Sequence, residues 1–269
     1  MAMTGTLQDA DPTTLLNLDR YPVADLSSLA ARRIILGGRE QLAETGLCLL
    51  PDFVARSALE EMVGEARTLA AHSIFEEGRV VGDEDGPERA FLLPRPARNA
   101  KSAINYSMLG PRSAIRRLYE WDGLAALFRE ILGVPSLYRC ADPVVSCVVA
   151  YYADGDELGW HFDPNDGVVT LLLQEADEGG EFQFAPRVRR EGAEGRAVVR
   201  SILDGAREGV ITAPIRAGTL SLFQGVASLH RVTRVSGPKP RIVLTMSFHE
   251  TPGKQFSERI RSRYAGQAA

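Results

Sequence analysis

Cysteine is scarce in this 269-residue chain. Cys48, Cys140 and Cys147 lie in apolar contexts without paired spacing, which excludes a disulfide framework and points to buried thiols in a reducing compartment. No block of lysine and arginine is present and the net charge is −4, so the basic footprint of a nucleic-acid-binding surface is missing. No apolar stretch reaches the ~18 residues needed to span a bilayer. Residues 1–10 lack the charged-then-apolar order of a signal peptide. No membrane partner is therefore expected, and the cytoplasm is the expected compartment. There is no internal repeat and no low-complexity tract, so a repeat architecture is excluded. What remains is long enough to bury a sizeable core, and one domain over 1–269 is a comfortable fit.

The informative residues are His161-Phe-Asp163, then His230, then Arg241. Side chains at i and i+2 of a strand share a face, so His161 and Asp163 can reach one ion while Phe162 points into the packing behind it. A third ligand must come from a neighbouring strand. His230 fits that need, because residues 218–223 and 231–235 read as strands flanking a short turn that holds Ser228-Leu-His230. Two imidazoles and one carboxylate on one side of a metal form the donor set of non-haem Fe(II) oxygenases, with O2 taken at the open positions. Arg241 opens the strand 241–248, and its planar fork suits the distal carboxylate of 2-oxoglutarate.

Each residue also has a plainer reading. His161 and Asp163 would serve as a hydrogen-bonded pair or a zinc site in a cupin-like barrel, although zinc gives no reason for Arg241 at its offset. Arg241 would otherwise make a surface salt bridge, and Arg231 and Arg234 are its rivals for a carboxylate. Thr170 lies on the strand after the metal turn, where a small hydroxyl reaches the same cosubstrate carboxylate or is simply a β-branched strand residue. Tyr151 and Tyr152 have opposite parity on the strand leading into the metal turn, and Tyr152 is favoured to face the pocket. His72 and His249 read as surface or capping histidines outside the ligand set.

Along the chain, residues 27–45 carry helical spacing with Ser27 or Ser28 as cap, 46–51 read as a short strand, and 58–71 as a second helix. Residues 75–96 mix acids, glycines and prolines without period, and such a segment reads as a lid or binding loop. A third helix is predicted over 113–132, ending at Gly133. After Ser136 the pattern changes to strands and turns, broken by a helical excursion over 196–209. Helices first and strands afterwards give an α+β class: helical support and lid over 1–135, the strand core over 136–250, and a C-terminal segment over 251–269.

The segment Tyr151-Tyr-Ala-Asp-Gly-Asp-Glu-Leu-Gly-Trp-His-Phe-Asp163, with Val169-Thr-Leu-Leu-Leu-Gln174, Gly179-Gly-Glu-Phe182 and Phe223-Gln-Gly-Val-Ala-Ser-Leu-His-Arg-Val232, resembles the Fe(II)/2-oxoglutarate-dependent dioxygenases. Within them it is similar to the BesD-type enzymes, which act on free amino acids. The resemblance covers about residues 114–264. It implies a double-stranded β-helix, a jelly-roll or cupin-like core, braced by the N-terminal helices. In the halogenases of that family Gly or Ala replaces the triad carboxylate and opens a position for chloride; Asp163 fills it here, so a hydroxylase is implied.

The implied partner is a small-molecule substrate, an amino acid, with a homodimer left open. Candidates for its ammonium and carboxylate are Arg98, Asp142 and Asp156, with Glu157, Arg95 and Asn99 beside them, and each of these also reads as solvated surface. In the lysine-acting relatives acidic and polar groups on the strand before the metal turn help hold substrate. Val144-Val-Ser-Cys-Val-Val149 is apolar, which argues for a side chain less cationic than lysine. The same iron centre would support desaturation, cyclisation or a carrier-bound or peptide substrate. A noncatalytic jelly-roll module holding a structural metal is the reading from another class, and the intact triad and anchor count against it.

Overall fold

The computed structural model describes residues 11–80, 97–163, 168–189 and 193–265. Helix α1 (Leu29–Thr45) begins at Ser28, whose hydroxyl accepts from the Ala31 amide at 3.2 Å, and stops at Gly46. Helix α2 (Arg56–Leu69) follows the short strand β1 (Leu47–Leu50). The third helix expected from the periodicity is two, α3 (Ala114–Glu120) and α4 (Asp122–Leu132). Trp121 between them is extended at φ −69° and ψ 117°, and its ring folds back over residue 123, where an added Cβ would lie 2.1 Å from the indole. The apolar period runs through this break because both helices turn the same face to the sheet.

The remaining strands are β2 (Ile74–Val80), β3 (Ala97–Ile104), β4 (Tyr138–Arg139), β5 (Cys147–Tyr152), β6 (Glu157–His161), β7 (Val168–Gln174), β8 (Phe182–Ala185), β9 (Ile211–Thr212), β10 (Leu220–Phe223), β11 (Leu229–Val232) and β12 (Arg241–His249). Helix α5 (Ala193–Leu203) lies between β8 and β9, and α6 (Glu258–Ala265) follows β12. They form one curled antiparallel sheet in the order β1-β10-β7-β12-β5-β3-β6-β11-β8-β9, with β2 on β3 and β4 on β12. This is the jelly-roll core expected from the resemblance. Two parts of the chain depart from the sequence reading. Residues 74–80 are strand rather than irregular, and β3 sits mid-sheet although no strand was expected between 51 and 136. Residues 1–10, and 81–96 with Arg95, lie outside the described residues.

Strand parity divides the sheet into two faces. Cys147 and Val149 of β5, Val169, Leu171 and Leu173 of β7, Leu220 and Leu222 of β10, and Ile242, Leu244, Met246 and Phe248 of β12 pack against the helices. Phe128 of α4 meets Phe248 edge-on at 5.2 Å, and both are fully buried. Full burial of one such side chain contributes about 1.5–3 kcal/mol, so this face anchors the fold. The residues between them, Val148, Ala150 and Tyr152, Thr170 and Leu172, Ser221 and Phe223, and Arg241, Val243 and Thr245, line an interior cavity of about 340 Å³. With one face under helices and the other around a cavity, both are shielded from water, which is why these strands read as near-continuous apolar runs. The three cysteines are free and buried; burial pushes the Cys48 thiol up to about 12, so it stays protonated and unreactive.

Candidate metal centre

Strands β6 and β11 lie side by side with His161 directly opposite His230, so two imidazoles project together into the cavity. Their ring centroids are 4.0 Å apart. His161 Nδ1 lies 2.8 Å from the Gly159 carbonyl and His230 Nδ1 lies 3.0 Å from the Ser228 carbonyl. A carbonyl only accepts, so each Nδ1 carries the proton and donates. Both Nε2 lone pairs therefore point inward, the tautomer a metal requires. Burial, followed by repulsion from His230, lowers the His161 pKa to about 3, which keeps that imidazole neutral.

Asp163 follows the end of β6 and completes the group. Its Oδ1 is 3.4 Å from His230 Nε2 and 3.8 Å from His161 Nε2. Burial alone would raise the carboxyl pKa, but the two imidazoles outweigh burial and hold it below the usual aspartate range. Among the described residues these three form a group whose ligand atoms all lie within 4.8 Å of one another. Three donors on one side of a point, with cavity on the other, fit an iron that keeps open positions for small ligands.

Gly225 allows this arrangement, and its role was missed in the sequence. Its carbonyl accepts from the Asp163 amide at 3.1 Å, and a Cβ added to it would fall 1.9 Å from Asp163 Oδ2. Gly225→Ala must push the carboxylate out of the group. The expected result is a ten- to hundredfold loss of Fe(II) affinity by titration, about the cost of disturbing groups that orient metal ligands. Unchanged affinity would show that the carboxylate has another way to settle. The only sequence signal was a glycine five residues before a histidine.

Arg241, the first residue of β12, is 6% exposed and reaches into the same cavity. It pairs across the sheet with Tyr152, and its Cζ lies 5.5 Å from that ring's centroid. Its Nε and Nη1 are buried without a hydrogen-bond partner. Burial lowers its pKa, with Tyr152 opposing. An orphaned guanidinium is costly unless something supplies the missing acceptors, and a carboxylate does so bidentately. Gly180 leaves room for its stem, since a Cβ there would sit 2.9 Å from Arg241 Cδ. Neither rival competes: Arg231 is bound to Gln183 Oε1 at 2.9 and 2.7 Å and stacked on Trp160, and Arg234 is exposed and outside the cavity lining. Tyr151 faces the helices instead.

Thr170 lines the same cavity as Arg241 and stands opposite Thr245 on β12, four residues along that strand from Arg241.

The three residues expected to grip substrate are engaged elsewhere. Asp142, 1% exposed, accepts from the amides of Val144, Val145 and Phe256, which ties the C-terminal segment to the barrel. Asp156 accepts from the Ala153 amide at 2.9 Å and holds the turn before β6. Arg98 donates to the Gly155 carbonyl at 2.7 Å and pairs with Glu77 on the outer side. None of the three lines the cavity. In their place β2 and β3 present Glu76, Asn99 and Lys101, and α6 brings Arg259, Ile260, Arg263 and Tyr264 over the opening. His249 accepts from the Thr251 amide at 2.9 Å as a strand-end cap.

Jelly roll, triad and buried arginine together define the class of Fe(II)/2-oxoglutarate oxygenases, and solved structures of that fold superpose on the chain. AviO1 from Streptomyces viridochromogenes Tue57 matches with a TM-score of 0.56 at 16% identity, over 81% of this chain and 96% of that one. The non-haem α-ketoglutarate-dependent epimerase SnoN of nogalamycin biosynthesis gives 0.54 at 18% identity, over 81% and 83%. An oxidoreductase of the 2OG-Fe(II) oxygenase family from Burkholderia pseudomallei gives 0.52 at 16% identity, over 82% and 92%. No curated relative matches the sequence. Residues 31–261 match the family model described as HalD, Halogenase D, and the chain belongs to that family.

Proposed function

We propose that this member of the family is a hydroxylase: it binds Fe(II), 2-oxoglutarate and O2 and adds one oxygen to an unactivated C–H of a small substrate, a free amino acid or a derivative of one. One observation carries the choice of hydroxylation over halogenation. The Asp163 carboxylate lies beside both imidazoles, where as a third ligand it would take the position a halide needs. Bound Fe(II) would supply the C–H oxidation, with 2-oxoglutarate leaving as succinate and CO2 and the second oxygen atom entering the product.

The chain's own part is to hold and to exclude. His161, His230 and Asp163 grip one side of the ion. Arg241, supported by Tyr152, takes the far carboxylate of 2-oxoglutarate and so fixes which way the cosubstrate lies. Phe182, Phe223, Leu158 and Val232 line the cavity with apolar surface and keep water from the reacting carbon. Reconstituting the protein anaerobically with Fe(II) and 2-oxoglutarate, then admitting O2 with a panel of free amino acids, tests the reading by mass. A product heavier by one oxygen supports it, and succinate formation that no amino acid stimulates counts against the substrate class.

Arg241→Lys keeps the charge and loses the planar fork. The apparent 2-oxoglutarate affinity should fall about tenfold or more, in line with roughly 1.5–3 kcal/mol for a charge-assisted hydrogen bond, while iron binding is spared. A titration of the visible band of the Fe(II)–2-oxoglutarate complex measures both. An unchanged affinity would remove Arg241 from the anchor role.

A further inference from the structure

Besides the His161, Asp163 and His230 group, the cavity wall carries a second set of charged groups that the proposed iron chemistry does not use. Glu76 on β2 and Lys101 on β3 are cross-strand partners, and their ion pair is 2.8 Å long with side chains only 11% and 7% exposed. Asn99, two residues earlier on β3, shares their face; its amide nitrogen donates to Glu76 Oε1 at 3.3 Å and its Oδ1 accepts from Lys101 at 3.4 Å. All three line the cavity that holds the triad. Burying such a pair is costly, and replacing it with apolar residues is often neutral or stabilising, so stability gives little reason for its presence.

The hydrogen-bond inventory shows what the cluster offers. Lys101 has three donors and two are taken, by Glu76 and Asn99. Each Glu76 oxygen accepts one hydrogen bond and has capacity for another. An ammonium and a carboxylate carried on one small molecule complement these vacancies: the ammonium against Glu76, the carboxylate against Lys101. The same cavity wall also carries apolar groups, Val145 and Val148 packed with Phe256 and Ile260 of the C-terminal segment. Tyr264 closes the charged end, its ring centroid 5.5 Å from the Lys101 nitrogen, and the Asn105 amide holds its carbonyl at 2.8 Å.

We infer that Glu76, Asn99 and Lys101 are the residues that bind the charged head of the substrate, a free α-amino acid, and that its apolar side chain runs along Val145, Val148, Phe256 and Ile260. The inference rests on the oxygenase reading and adds two requirements to it. Both ends of the head must be free, and the side chain must be aliphatic.

Leucine, N-acetyl-leucine and leucinamide are compared as stimulants of O2-dependent succinate formation by the Fe(II)- and 2-oxoglutarate-loaded enzyme, with norleucine and valine as further free amino acids. Free amino acids should stimulate, and the two blocked forms should be at least about tenfold poorer, as for a site whose buried polar groups are left unpaired. Glu76→Gln should raise KM for the amino acid about tenfold or more. Breaking one partner of a buried pair risks the fold, so the double variant Glu76→Gln/Lys101→Gln keeps the site neutral and hydrogen-bonded. It should retain the Fe(II)–2-oxoglutarate band and lose the response to leucine. Equal stimulation by the blocked forms, or an unchanged KM in the folded double variant, would overturn the head-group assignment and leave the oxygenase standing. A double variant that loses 2-oxoglutarate affinity instead would move Lys101 to the cosubstrate site and overturn it too. If wild-type protein gives no Fe(II)–2-oxoglutarate band, the oxygenase reading itself falls.

Discussion

Alanine at His230 is expected to abolish both the charge-transfer band of the anaerobic Fe(II)–2-oxoglutarate complex and all succinate formation. The imidazole is 5% exposed, and Phe223 and Phe182 pack around it at 4.9 and 5.7 Å between ring centroids. Removing it leaves an aromatic-walled space with no side chain able to replace the nitrogen. His161 and Asp163 remain, 3.8 Å apart, but only one imidazole is left to grip the ion, against the two that an Asp163 variant keeps. The fold should survive, because a cavity of this kind costs about 2–4 kcal/mol and the helix-facing core is untouched. Circular dichroism and the visible spectrum of the same sample separate loss of metal from loss of fold. A His230→Ala protein that turns over at the wild-type rate would remove His230 from the ligand set.

The triad was legible because its logic is local and periodic. His161-x-Asp163 is a two-residue repeat on a strand end, and His230 and Arg241 each sit on or beside a run of apolar strand residues. Periodicity required only that one of Tyr151 and Tyr152 face the pocket and the resemblance favoured Tyr152; Tyr152 lines the cavity and Tyr151 packs among the helices. Strand β3 was illegible for the opposite reason. Ala97-Arg-Asn-Ala-Lys-Ser-Ala-Ile104 has one β-branched residue, at its last position, and its inward face carries Asn99 and Lys101 where a binary pattern would place apolar side chains. Breaks in pattern of this kind are where function is expected to override folding rules.

Asp142, Asp156 and Arg98 show a second limit. From sequence, a carboxylate that caps backbone amides and one that faces a ligand are the same letter, and only long-range geometry separates them. Asp142 bonds the amide of Phe256, 114 positions away. Gly225 is the same case in reverse: it lies 62 residues beyond Asp163 in the chain, and only the fold brings the two together.

Turnover in high chloride should give hydroxylated product and no chlorinated product, whichever amino acid is the substrate. On the proposed reading a halide reaches the iron only if a coordination position on the triad side is vacant, and the Asp163 carboxylate, buried beside the two imidazoles with its own backbone amide donating to the Gly225 carbonyl, would fill that position. Its lowered pKa keeps it anionic through the neutral range, so protonation does not release it. Asp163→Gly removes the carboxylate and leaves both histidines. That variant should keep weakened Fe(II) binding and lose at least about a hundredfold in hydroxylation, because one of three ligands and its negative charge are gone. The pair of measurements divides the possibilities. Product mass from the wild-type enzyme in chloride reports what the filled position permits, and the band and turnover of Asp163→Gly report whether the carboxylate is the group that fills it. A chlorinated product from the wild type would refute the assignment of Asp163 as an iron ligand, since the halide would then occupy the place proposed for the carboxylate.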